Sequence, residues 1–158
     1  MKHVNSTEFE NKMIHKAEEK FLEAKSRGTS AFQRKEYWQA VYWYTEALEI
    51  KPGDAAVLSN RSLCYVYLNK GDPAFEDASQ CVLARPDWPK AYYRAGVALK
   101  LLNVPRLDDA ADAFSNGLKL DPENRELQDA FRLGAITFIT SPTVHLLLQA
   151  LLLSWFII

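Results

Sequence analysis

Three histidines and two cysteines are all that this 158-residue sequence offers to metal-binding or nucleophilic chemistry. His3, His15 and His145 lie at scattered positions without ligand spacing, so no metal centre is expected. Cys64 and Cys81 fall inside apolar-periodic stretches, make no paired framework and follow no secretory signal pattern, and are expected to be reduced core thiols. Glycine is sparse, six in all, and none builds a phosphate-cradling loop; no histidine and acid pair flanks a nucleophile motif. The expectation is a protein that is not an enzyme and carries no cofactor. An excess of charge is missing as well, with 19 lysines and arginines against 20 aspartates and glutamates and a formal net charge of -1. A nonspecific nucleic-acid binder would carry a basic surplus, so nucleic acid is not an expected partner.

What the sequence has instead is a period. Ala40, Tyr44, Ala47 and Pro52 are echoed by Ala74, Ala78, Cys81 and Pro86, then by Ala110, Phe114, Gly117 and Pro122. Gly28, Ser62 and Gly96 are each 34 residues apart, whereas Ala74 to Ala110 and Pro86 to Pro122 both span 36. The third unit therefore carries two extra residues, most simply in the turn Asn103, Val104, Pro105, Arg106. Within residues 37 to 50, Tyr37, Trp38, Ala40, Val41, Tyr44, Ala47, Leu48 and Ile50 are placed at three- and four-residue steps along one stripe of an amphipathic helix. Alanine at 40 and 47 and glycine at 28 let two antiparallel helices approach closely, and Tyr44 supplies the volume that fills the gap beside them. Pro52, Pro86 and Pro122 each end one helical pair. A single pair cannot bury its apolar face, so each unit needs its neighbour.

A 34-residue period, small residues at the helix crossing and a proline at the unit boundary resemble the tetratricopeptide repeat, from about Ala17 to Leu133. The family's large aromatic near the start of the first helix is only partly kept, as Ala24, Leu58 and Tyr92. The resemblance implies an all-α chain, a right-handed superhelical solenoid of three helix-turn-helix repeats at 21–54, 55–88 and 89–122, closed by a capping helix at 123–133. Phe9, Met13, Ala17 and Phe21, at four-residue steps, suggest a charged lead-in helix over residues 1–20.

With Gly28, Ser62 and Gly96 set as position eight of their units, Lys25 and Thr29 occupy positions five and nine, Asn60 position six, and Lys90 and Arg94 positions two and six. Positions two, five, six and nine share one helical face. Three cations and two neutral hydrogen-bonding groups on the groove-lining helices suit a ligand with more than one carboxylate. Any one of these lysines or arginines alone would read as an ordinary solvated charge; the joint pattern is what points to a site. Here the resemblance sharpens to the two-carboxylate-clamp co-chaperones, through Lys25 and Thr29 around Gly28, Asn60, Arg61 and Ser62, and the stretch from Pro86 to Arg94. In that subfamily the matching lysines, asparagine and arginine hold the acidic C-terminal tail, ending Glu-Glu-Val-Asp, of cytosolic heat-shock chaperones. Thr29 departs from the pattern, standing where the familiar clamp has asparagine. Phe32, Tyr67 and Tyr93 are candidates for pockets that take flanking apolar peptide side chains, and equally for repeat packing. A scaffold that uses the same groove for an unrelated partner is the alternative.

From Leu133 to Ile158 there is no aspartate, glutamate, lysine or arginine. The stretch exceeds the roughly 20 residues that cross a bilayer, although Pro142 divides it. Three expectations stay open for 134–158: a tail anchor that would make a membrane-tethered receptor facing the cytosol, a helix folded back over the last repeat, or an end left by truncation or splicing. The last is suggested by a resemblance of the repeats, through the stretch from Pro86 to Arg94 and through Asp121 to Asn124, Leu127 and Phe131, to plant proteins that join ankyrin repeats to a tetratricopeptide module. The expected location is the cytoplasm, with membrane association resting on 134–158 alone.

Overall fold

The computed structural model describes residues 6–139, in which helices are the only regular secondary structure. Seven helices follow in order: α1 (Ser6–Gln33), α2 (Tyr37–Ile50), α3 (Ala55–Tyr67), α4 (Gly71–Ala84), α5 (Pro89–Lys100), α6 (Leu107–Leu120) and α7 (Arg125–Ile139). Each packs on the next, and α3 also meets α5, which stacks α1/α2, α3/α4 and α5/α6 as three hairpins with α7 against the last. This is a helical solenoid, in which every layer buries its face against a neighbour.

The period has a direct packing meaning. A Cβ at Gly28 would lie 2.7 Å from the Tyr44 ring, and one at Gly96 would lie 2.3 Å from the Phe114 ring, so each glycine makes room for the aromatic of its partner helix. The middle unit solves the same crossing differently. There Ala78 replaces the aromatic, and Ser62 fills the smaller gap while its hydroxyl donates to the Ala74 carbonyl at 2.8 Å. Among the described residues Tyr44 and Phe114 are the largest fully buried side chains, whereas Trp38, expected on the apolar stripe of α2, is 59% exposed because it faces away from the packed hairpin. Cys64 and Cys81 are free and fully buried, and burial pushes their thiols up to about 12 and about 11.

Pro52, Pro86 and Pro122 each stand two residues beyond the end of α2, α4 and α6. Lys35 and Asn69 turn the first two hairpins with positive φ of 62° and 54° and are themselves 34 residues apart. The turn between α5 and α6 is longer, residues 101–106, and contains the stretch from Asn103 to Arg106.

Two element bounds differ from those read off the sequence. The lead-in and the first repeat helix form one continuous α1, because neither proline nor glycine occurs before Gly28. Its first turns outrun α2, leaving Phe9 62% and Met13 53% exposed. The final helix runs past residue 133 to Ile139, since the first proline after Pro122 is Pro142. Among the described residues no helix is long and apolar enough to cross a membrane. Residues 140–158, which hold most of the apolar end, lie outside the described residues.

Candidate groove and clamp

The first helix of each hairpin carries the five polar residues singled out above. Lys25 and Thr29 are one turn apart on α1, Asn60 is on α3, and Lys90 and Arg94 are one turn apart on α5. Thr29 and Asn60 come together in a cleft of about 240 Å³ that they line with Phe32, Gln33, Tyr44 and Leu63. The Thr29 hydroxyl donates back to the Lys25 carbonyl at 3.0 Å and stands 3.3 Å from the Tyr44 hydroxyl. With its own proton committed to the backbone, Thr29 acts as acceptor toward the phenol. Burial raises the Tyr44 phenol above its ordinary range, while its contacts with Thr29 and Asn60 act the other way. The aromatic that fills the helix crossing therefore also puts a hydroxyl on the floor of the cleft. Periodicity marks Tyr44 as core and gives no sign of that second role.

The three cations are in unlike states. Lys25 is partly exposed, 3.5 Å from Asp54 and 5.4 Å above the Phe21 ring. Lys90 is exposed, its ammonium 6.0 Å from the Trp88 ring. Arg94 is only 8% exposed, makes no ion pair among the described residues, and has a buried Nε without a hydrogen-bond partner. Its guanidinium lies 5.6 Å over the Tyr93 ring. Burial lowers its pKa, with Tyr93, Glu126 and Tyr67 opposing that shift from nearby. A guanidinium still keeps its proton at any ordinary pH, so a charge sits largely desolvated here without an ionic partner.

Phe32 and Tyr67 meet in one aromatic cluster, with ring centroids 5.8 Å apart, and Tyr67 stacks on Tyr37 at 4.7 Å. Tyr93 is elsewhere, packed against Phe114 at 6.1 Å. Arg61, the neighbour of Asn60 in the quoted motif, turns the other way and pairs with Asp77 on α4. Asp54 is a residue that sequence reasoning missed at this site. Its place before an apolar helix signals an N-cap, whereas its reach to Lys25 exists only across the packed hairpins. No cluster of histidine, cysteine, aspartate and glutamate fit to hold a metal ion occurs among the described residues.

Comparison with known proteins places the chain in a family. Residues 2–95 match the family described as serine/threonine-protein kinase BSK1-like, TPR repeats. The chain belongs to this tetratricopeptide-repeat family. Among similar proteins, a STIP1 homolog of Dictyostelium discoideum is 38% identical over 112 residues, which is 71% of this chain and 20% of that protein. An Hsp70-Hsp90 organising protein of Plasmodium falciparum is 36% identical over 118 residues, covering 75% of this chain and 45% of that protein. The tetratricopeptide chain thus spans less than half the length of either relative. Among solved structures, the first TPR of Spaghetti (RPAP3) bound to the HSP90 peptide SRMEEVD superposes with a TM-score of 0.72 at 27% identity, over 77% of this chain and 95% of that one. The tetratricopeptide fold expected from the period is therefore the fold observed.

Proposed function

We propose that this chain is a non-catalytic, cytoplasmic adaptor whose groove captures the acidic C-terminal tail of heat-shock chaperones, of the Glu-Glu-Val-Asp type. Arg94 and Lys90 from α5, Lys25 from α1 and Asn60 from α3 hold the carboxylates, with Thr29 at the edge of the cleft. The observation that carries this reading is Arg94, a buried guanidinium with no ionic partner of its own among the described residues. Buried charges are normally paired, and a peptide carboxylate arriving at Arg94 supplies the missing partner and satisfies donors that water reaches poorly. The fit of the fold to a tetratricopeptide domain holding the peptide SRMEEVD supports the same ligand class. Asn60 adds neutral hydrogen bonding beside the Tyr44 hydroxyl, suited to a peptide backbone or a carboxylate oxygen.

Calorimetric titration of the whole chain with an acetylated peptide ending Met-Glu-Glu-Val-Asp, beside its C-terminal amide, tests the reading. Binding of the free acid that is lost or sharply weakened in the amide is the expected outcome. Equal affinity for the two peptides, or no binding of the acid by folded protein, replaces the clamp with a scaffold for some other segment.

A further inference from the structure

Two of the turns that follow a hairpin end in a side chain that caps the next helix. Asp54 Oδ1 accepts from the Val57 amide at 2.8 Å at the start of α3, and Asn124 Oδ1 accepts from the Leu127 amide at 3.2 Å at the start of α7. Both residues follow a boundary proline by two positions, Pro52 and Pro122. Asparagine and aspartate cap equally well, and the same molecule uses asparagine for the task, so capping does not account for the charge on Asp54. The second contact of each side chain separates them. The Asn124 amide donates to Asp121 within its own turn at 3.0 Å, whereas Asp54 Oδ1 reaches across to α1 and lies 3.5 Å from the Lys25 ammonium.

Resting on the clamp reading, we propose that Asp54 is a positioning residue for the groove: an internal counter-ion that holds Lys25 when no tail is bound and that a tail carboxylate must displace. Arg94 has no ionic partner within the described residues and gains the whole of a new ion pair on binding. Lys25 only exchanges one carboxylate for another, so its share of the affinity is held down by Asp54. The contact suits such an exchange. It is long, partly exposed and made by a flexible ammonium, so it is weak enough to be replaced. Asp54 stays in place after the exchange because its hydrogen bond to Val57 anchors it, so it goes on competing with the tail for Lys25. A single side chain thus fixes the helix start, ties the first repeat to the second and sets how strongly the lysine engages a ligand.

Asp54→Asn keeps the cap and removes the counter-ion. In calorimetry on the full chain with the acetylated Met-Glu-Glu-Val-Asp peptide, the variant is expected to bind about threefold to tenfold more tightly than the unaltered protein. In a Lys25→Met background the same change is expected to shift Kd by less than about twofold, because the pair it acts through is gone. Asp54→Ser, which also caps, should reproduce the gain should the asparagine variant fold poorly. Unchanged or weaker binding in both variants overturns the proposal, as does an equal gain with Lys25 absent, which would reduce Asp54 to general repulsion of an acidic tail. Those results leave the clamp standing provided the unaltered protein binds the free acid. If neither it nor Asp54→Asn binds while both are folded by circular dichroism, the clamp reading itself fails and the proposal with it.

Discussion

Arg61 of α3 and Asp77 of α4 form a forked ion pair, with Nε donating to Oδ2 at 2.8 Å and Nη2 to Oδ1 at 2.7 Å. Arg61 Nη1 also donates to the Thr45 hydroxyl on α2 at 3.0 Å, so one guanidinium ties three helices of the first two repeats. Asp77 is 3% exposed, and burial raises its pKa despite the opposing guanidinium. Arg61→Met strands that carboxylate and is expected to cost about 3 kcal/mol in urea unfolding, while adding Asp77→Leu recovers most of the loss. A single-variant loss below about 1 kcal/mol would place this pair with ordinary surface bridges.

Arg94 gives the opposite sign in the free protein. Its buried charge lacks an ionic partner among the described residues, so Arg94→Met, which keeps a long side chain and removes the charge, is expected to stabilise the fold by about 1 kcal/mol. The same variant should weaken the acidic peptide by about 2 kcal/mol or more, the scale of a charge-assisted hydrogen bond. A thermal melt and a titration on one sample check both signs. Loss of stability together with binding would instead make Arg94 a structural residue.

Thr29 spends its proton on the Lys25 carbonyl and does not present it to a ligand. Asparagine at this position has a longer arm and two amide donors, so Thr29→Asn is expected to tighten the free-acid peptide by about 1 kcal/mol, one hydrogen bond's worth. Fluorescence anisotropy with a labelled peptide reads the change, and weaker binding would show that the Thr29 to Tyr44 contact shapes the cleft more than the missing donor does.

The glycines divide by what surrounds them. A Cβ at Gly71 would come within 2.2 Å of the Leu101 carbonyl oxygen, which is backbone and cannot rotate away, whereas at Gly53 nothing lies within 4 Å. Gly71→Ala is expected to cost about 3 kcal/mol or more by overpacking, and Gly53→Ala to stay within about 0.5 kcal/mol of the unaltered protein. Gly96→Ala, whose nearest contacts are with the Phe114 ring, should fall between them. Chemical denaturation of the three proteins side by side would reject the packing account if that order were reversed.

The two thiols set an alkaline limit. Their pKa values are raised by burial from 9.0 to about 12 for Cys64 and about 11 for Cys81, so the folded chain keeps protons that the unfolded chain releases. Their contribution is whole below about pH 9 and is lost as pH rises from there toward the folded values, at up to about 1.4 kcal/mol per pH unit for each thiol. Urea midpoints between pH 8 and 10.5 should fall more steeply for this protein than for Cys64→Ala/Cys81→Ala. Parallel slopes would mean that other groups carry the alkaline loss.

The fold was legible because its signal is local and repeated. Gly28 and Gly96, Tyr44 and Phe114, and the prolines at 52, 86 and 122 each act within one hairpin or at its boundary, so spacing alone reveals them. The same register named Lys25, Thr29, Asn60, Lys90 and Arg94 as residues of the groove-lining helices. It left open which of those cations is free. That depends on partners far away in the chain: Asp54 is 29 residues from Lys25, and burial of Arg94 depends on how α5 sits among its neighbours. Sequence by itself determined the period, the helices and the near-neutral balance, since these follow from backbone geometry and side-chain chemistry. Only the tertiary structure decided that Tyr44 lends its hydroxyl to the cleft, that Asp54 holds Lys25, and that Arg94 lies buried without an ionic partner among the described residues. Desolvation and charge pairing are properties of what packs around a group, and no residue carries them alone.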